Sequence, residues 1–393
     1  MQRISDLEKK YVLEALDNEF STSKNSIFCN HLEKRFCEKL HTRYAIGHVN
    51  GTATLHTAII ALWLEPGDEI IVPPLTMSST SLAVLQSWCI PVFADVNIDT
   101  FTIDPTSIKE RITSKTKAII TVSLYWLSPD YDNILEICKK HNLYLIEDNA
   151  QCFLWKYKGK LVWEFGDFAS YSFQASKHMT CGEWGMLTTN DEEFANKARR
   201  FGSLGYAWVS AKQWKITRND IQDPNYSRHV SLWFNYRLGE VACAVALGQV
   251  ERLDELIENR KNVAKIFDQT ILSQSLLKKQ AEPEWYENSY WSYSLVLNTD
   301  NPDKDWYIFR DIFLKNGWDG YYAARKLSYM EPYFINEVQK LPWVWQKYEK
   351  WLCPNAEFLQ KRLIQIKTNY RDLDEAKKQW EILNKTINEY INL

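Results

Sequence analysis

The chain has 393 residues, a formal net charge of −3, 45% hydrophobic and 25% charged residues, an ordinary globular composition with room for a large domain and a smaller one. No basic block offers nucleic acid a surface, no apolar run is long enough to span a bilayer, and Met1 to Tyr11 is charged and lacks the apolar core of a secretion signal. The eight cysteines are scattered without a C-x-x-C pair, which reads as a cytoplasmic chain with free thiols.

Residues 1–30 read as an N-terminal helical segment. From about residue 45 short apolar runs alternate with helical patterns. Thr52 to Leu64 is expected to be a helix, Pro66-Gly67-Asp68 a turn and Glu69 to Val72 a buried strand. Ser79 to Trp88 follows as a helix, Pro91 to Ala94 as a strand, and Pro105 to Ile112 as a helix capped by Asp104. Lys117 to Val122 is a strand, Asp132 to His141 a helix and Leu143 to Ile146 a strand. Phe168 to Phe173 and Met186 to Thr189 read as two further strands, and Glu240 to Lys261 as one long amphipathic helix. The rhythm predicts a parallel sheet covered on both faces. Beyond a boundary near residue 262 the pattern changes to a strand at Tyr290 to Leu297 and helices at Trp306 to Lys315 and Leu373 to Tyr390. Domains of 31–262 and 263–393 result.

Ligands of parallel sheets bind at the carboxyl ends of the strands. Asp148 closes one such strand and Tyr125 follows another. About thirty residues after Asp148, Lys177 sits in a polar turn containing Gly182. This order suits pyridoxal phosphate: a lysine forms a Schiff base with the aldehyde, and a carboxylate keeps the ring nitrogen protonated so that the ring can take up electrons. Asn50-Gly51-Thr52-Ala53 opens a helix whose first N–H groups could hold a phosphate. Taken singly, each residue also fits a plainer role, Asp148 and Asn50 as helix caps and Lys177 as a surface lysine.

In order and type these positions resemble one family. Asn50 to Leu55 is similar to the pattern S-G-T-A-A-L, Pro66 to Pro73 to P-G-D-E-V-I-V-P, and Asn97 to Pro105 to D-P-x-T-x-x-I-D-P. Glu147 to Gln151 matches E-D-x-A-Q, Ser172 to Lys177 matches S-F-x-x-x-K, and Asn235-Tyr236-Arg237 matches N-Y-R. These are patterns of the DegT/DnrJ/EryC1/StrS sugar aminotransferases, and the resemblance covers about residues 30 to 260 well. It implies an aspartate-aminotransferase-like (fold type I) α/β protein: a three-layer α/β/α large domain with a mostly parallel sheet, which binds pyridoxal 5′-phosphate, and a smaller α+β C-terminal domain. It implies transamination of a keto sugar, nucleotide-linked, with glutamate or glutamine as donor, while Phe173-Gln174 resembles members that act on cyclitols or free keto sugars. Dehydration of a sugar and non-catalytic cofactor binding are the alternatives.

Carried over by residue, the resemblance makes Lys177 the catalytic lysine, Asp148 the partner of the ring nitrogen and Gln151 a neighbour of the ring's hydroxyl edge. Thr52, Ala53 and Ser172 hold the phosphate, Met77 covers a ring face where the family often has an aromatic, and Asn235 serves the phosphate of a neighbouring subunit, so a homodimer is implied. Sugar dehydratases of the family carry His at the lysine position. Here that position is Lys177 and the histidine is its neighbour His178.

Glycine is scarce, with 13 against 17 tryptophans. A chain this long would hold roughly 27 at the usual ~7%. Trp63, Trp126, Trp155, Trp163, Trp184 and Trp233 fall where the family has glycine, and its G-E-G-G turn reads Gly182-Glu183-Trp184-Gly185. Some genetic codes read UGA as Gly and others as Trp. A gene of the first kind read by the second would deplete one residue and inflate the other.

Overall fold

The structure is a computed structural model that describes residues 1–20, 27–125, 127–154, 156–161, 165–211, 218–231, 233–284, 286–320 and 326–393. Its central sheet has seven strands: β1 (Tyr44–His48), β2 (Glu69–Val72), β3 (Ile90–Phe93), β4 (Thr116–Val122), β5 (Tyr144–Asp148), β6 (Phe168–Ser172) and β7 (Gly185–Thr189). Their spatial order is β1-β7-β6-β5-β4-β2-β3. The pairs β2–β3, β2–β4, β4–β5 and β5–β6 are parallel, and β7 runs antiparallel to both its neighbours. Strands of such a sheet are apolar on both faces because helices cover both. Along β2, Ile70 and Val72 enter one core while Ile71 enters another, as the two-residue period of a strand requires.

The first core gathers Ile70, Ile146, Trp291, Val296 and Leu363, and the second Ile71, Leu145, Tyr293, Leu295 and Ile366. A third packs the helix Ile27–Leu40 and the helix Glu240–Glu251 against Ala169 and Tyr171 of β6. A smaller antiparallel sheet, in the order β8-β9-β10, consists of β8 (Leu277–Lys279), β9 (Ser292–Leu297) and β10 (Leu363–Lys367). The helices Pro302–Lys315 and Leu373–Ile391 belong to the same part of the chain.

Element types follow the expectations, and several bounds shift for physical reasons. The helix expected over Ser79 to Trp88 ends at Gln86, and Trp88 takes φ +61°. The Trp88 N–H donates to Leu85 O (3.0 Å) and the Cys89 N–H to Val84 O (3.1 Å), the bond pair of a Schellman stop. The helix expected from Thr52 to Leu64 runs Gly51–Ala61, and Trp63 just beyond it has φ +59°. The long helix expected over Glu240 to Lys261 is two helices, Glu240–Glu251 and Leu253–Ile271, broken at Arg252. Arg252 reaches away to the fully buried Glu8 (2.9 Å) and to Glu255 (3.1 Å). The second of these helices carries the chain across residue 262.

One expectation is corrected. Not all thiols are free, because Cys29 and Cys243 form a disulfide, with Cα atoms 5.1 Å apart. The packing of two helices brings them together across a sequence separation of 214 residues, which spacing alone could not reveal.

Candidate active site

A cavity of about 510 Å³ opens beyond the carboxyl ends of β4 and β5, where Val122 and Asp148 face it. Asp148 is buried. Its Oδ2 accepts from Thr80 Oγ1 (3.0 Å) and its Oδ1 from the Ala150 N–H (3.1 Å). Burial raises its pKa, while these two hydrogen bonds and the Lys177 charge pull the other way. A cation on the cavity side would complete the carboxylate's surroundings. The Ala150 bond is a local turn that uses one oxygen only, and among the described residues no helix starts after Asp148, so the plainer role of a helix cap is not found.

Lys177 enters the same cavity from the turn between β6 and β7. That turn is tightly made. The Lys177 N–H donates to Gln174 O (2.9 Å), Gln174 Oε1 accepts from Ser176 N–H (2.8 Å) and Oγ (2.7 Å), and Gly182 takes φ +102°. The amine lies 4.4 Å from the centre of the Trp291 ring. Desolvation lowers the Lys177 pKa to about 8, against opposing help from Asp148. A surface lysine has no such depression, and a neutral amine is the nucleophilic form.

The floor of the cavity is the start of the helix Gly51–Ala61. Asn50 caps it, and its Oδ1 accepts from the Ala53 N–H (2.8 Å). Gly51 and Thr52, at the first two helical positions, are left to point their N–H groups at an anion. The Ala53 N–H is engaged by Asn50, and its side chain is buried outside the cavity lining. Thr52 and Ser172 do line the cavity. The chain must come very close here. A Cβ on Gly185 would lie 2.6 Å from Asn50 O, and one on Gly51 would lie 3.1 Å from Ser172 Cβ. Gly185→Ala is expected to push the helix start off its strand and weaken pyridoxal phosphate binding at least ~10-fold, as overpacking of ~1–3 kcal/mol implies. Titration of the apoprotein checks it, and unchanged affinity would remove the phosphate from this cradle.

Gln151 lines the cavity, with Oε1 accepting from the Tyr125 N–H (2.7 Å). Met77 lines it too, and is 69% exposed at the mouth. Asn235 lies outside this cavity, exposed on the loop that pairs with Ser203. His178 points away: its Nε2 meets Ser289 O (2.9 Å), and burial holds its pKa well below the usual histidine value. Trp184 is fully buried behind Phe173, ring centres 3.8 Å apart, and does not line the cavity. Its φ is not positive, so the strain there is crowding and not backbone strain. Trp126, Trp155 and Trp163 lie outside the described residues.

Sequence reading missed Thr80 and Trp291. Thr80 is three residues past Met77 and meets Asp148 only through the fold, and Trp291 passed as an ordinary strand residue. The arrangement thus unites a buried carboxylate, a depressed amine and free helix N–H groups around one hollow. These residues fit pyridoxal phosphate, whose cationic nitrogen, aldehyde and phosphate need those three partners.

The model of the DegT/DnrJ/EryC1/StrS aminotransferase family matches residues 2–377. GDP-perosamine synthase of Escherichia coli O157:H7 is 34% identical over 343 residues, 87% of this chain and 85% of that protein. An aminotransferase from Psychrobacter cryohalolentis superposes with a TM-score of 0.84 at 26% identity, over 98% of both chains. The GDP-4-keto-6-deoxy-D-mannose-3-dehydratase of E. coli, solved with hydrated PLP, gives 0.83 at 23% identity over 98% of both chains, a likeness of fold alone.

Proposed function

Since the chain belongs to the DegT/DnrJ/EryC1/StrS aminotransferase family, we propose that it moves an amino group from glutamate or glutamine to a nucleotide-linked keto sugar, in the making of an amino sugar. The fold is type I, α/β with a mostly parallel sheet, and the cofactor is pyridoxal 5′-phosphate. The observation that carries this reading is that Lys177 and Asp148 open into one cavity above a free helix N-terminus.

When bound, the cofactor supplies an aldehyde that carries the amine and a ring that takes up an electron pair. Lys177 would be the point of attachment for the aldehyde and the group that moves the proton; its depressed pKa suits both tasks near neutral pH. Asp148 would hold a proton on the ring nitrogen. Gly51, Thr52 and Ser172 would hold the phosphate, and Gln151 and Met77 line the same cavity, where the Met77 sulfur could cover an apolar ring. A lysine at the catalytic position and a histidine turned to Ser289 favour transamination over dehydration. Trp184 does not line the cavity and so lends no support to a non-catalytic reading.

The relative is named for making GDP-perosamine, so GDP-linked keto sugars stand first in the test. Nitrogen-labelled glutamate and glutamine are offered with a panel of nucleotide keto sugars, and label in the sugar is expected. A loaded protein that puts label into none of them, yet releases a dehydrated sugar without nitrogen, would move the reading to the dehydratases.

Asn235, exposed and outside its own cavity, fits a role at the phosphate of a second copy, which makes the active species a dimer. Sedimentation should find a dimer or larger, and a fully active monomer would refute the shared site. Among the described residues no helix is long and apolar enough to cross a membrane, and the cytoplasm, where sugar nucleotides are made, is the proposed location.

A further inference from the structure

Arg260, in the helix Leu253–Ile271, is buried and has no carboxylate within ion-pair distance among the described residues. Such a charge is costly unless its donors are well used. Here they are. Nη1 donates to Trp291 O (2.7 Å) and Thr368 Oγ1 (2.9 Å), and Nη2 to Lys177 O (2.9 Å) and Ser176 O (3.3 Å). The Trp291 indole N–H donates to Ser176 O as well (3.0 Å). One guanidinium thus ties the lysine turn to the start of β9 and the end of β10.

We propose that Arg260 is a positioning residue for Lys177: it pins the backbone of the lysine turn to the small domain and sets an unneutralised positive charge behind the amine. The proposal rests on Lys177 being the point of cofactor attachment. Around that amine, desolvation opposes its charge most, Asp148 of β5 favours it, Arg260 opposes it, and Glu183 from the loop before β7 favours it. His178, the remaining neighbour, is kept neutral by burial. An amide could also hold these carbonyls, but only a cation adds to the desolvation that disfavours the charged amine.

The test follows attachment of pyridoxal phosphate to the apoprotein by visible absorption across pH, with Lys177→Ala as blank. Wild type should show a midpoint near pH 8. Arg260→Gln should raise it by about one unit, in line with loss of a nearby like charge. Arg260→Lys keeps the charge and should keep the midpoint, while loosening the turn and weakening cofactor affinity. A folded Arg260→Gln with wild-type midpoint and affinity overturns the proposal. Should that variant not fold, a raised midpoint in Arg260→Lys overturns it equally. A wild-type protein that attaches no cofactor at any pH strikes instead at the attachment reading, independently of Arg260.

A separate observation concerns three tryptophans at positive φ: Trp63 (+59°), Trp88 (+61°) and Trp351 (+76°). Their side chains are 67%, 71% and 69% exposed. Trp63 and Trp88 are the residues just past helix C-caps, and Trp351 is the third residue of a turn closed by the Leu352 N–H on Glu349 O (3.3 Å). These are positions where left-handed helix stops and type II turns favour glycine, although His41 and Asn142 also take positive φ just past helices in this chain. By contrast Trp291, Trp306 and Trp345 each donate the indole N–H, to Ser176 O, Leu363 O and Glu69 Oε1, and none has positive φ. We infer that the native residue at Trp63, Trp88 and Trp351 is glycine, encoded by UGA. The gene and the mass of these peptides from the source cells test it: UGA with the lighter residue is expected at all three, and UGG at Trp291 and Trp306. UGG at Trp88 and Trp351 overturns it. A recombinant Trp63→Gly, Trp88→Gly, Trp351→Gly protein should also melt higher than its parent, and a lower Tm counts against relief of strain.

Discussion

Lys177→Ala is expected to lower turnover by at least ~10⁴, since general acid–base catalysis alone contributes 10²–10⁴ and covalent attachment is lost with it. The protein itself should survive. Among the described residues the Lys177 amine has no ion pair, and the turn that carries it is held by backbone and Gln174 bonds that alanine retains. The variant should therefore melt near wild type and still bind pyridoxal phosphate through the helix N-terminus and Asp148, without the absorption of the attached form. Amine transfer from labelled glutamate measures it. Turnover within tenfold of wild type would end the mechanism.

Asp148→Asn is expected to separate stability from activity. An opposite charge holds a titrating partner by ~1–3 pKa units, so the protonated fraction of the ring nitrogen, and with it turnover, should fall ~10–10³-fold. The apoprotein responds in the other direction. Burial raises the pKa of Asp148 in the fold. A carboxyl raised in this way supports the fold while protonated, and that support is lost as pH rises beyond the ordinary carboxylate range. At neutral pH the uncharged amide should thus melt at or above wild type. Differential scanning of apoprotein beside steady-state rates reads both. Unchanged turnover would leave Asp148 as an anchor for Thr80 and the Ala150 turn and nothing more.

Much of the frame was legible because parallel strands announce themselves as apolar runs. Glu69–Val72 is buried at every residue, and the sequence alone bounded it correctly. Tyr44–His48 was less visible, since it holds a glycine and a histidine and pairs only at the sheet's edge. Asp148 and Lys177 could be named from chain order, since the strand ends and the turn between them lie close in sequence. Thr80, Trp291 and Arg260 could not, because each meets the site across long stretches of chain. At Ala53 the pattern marks the helix start, but the cap bond from Asn50 to the Ala53 N–H is visible only in the structure. The tryptophans divide in a similar way. Family pattern pointed to Trp184, which is crowded but has no positive φ, and only the backbone pointed to Trp88 and Trp351.

The two main cores each draw side chains from both sides of residue 262, as Ile146 beside Trp291 and Leu145 beside Tyr293 illustrate. Architecture and folding unit therefore do not coincide. Calorimetry should record a single endotherm, with no earlier melting of the smaller sheet. A chain cut within the helix Leu253–Ile271 would leave both severed cores facing water, each a contiguous apolar surface of the kind that drives association. Neither half should be recoverable as a soluble monomer, although co-expression of the two pieces offers each the apolar partner it lacks.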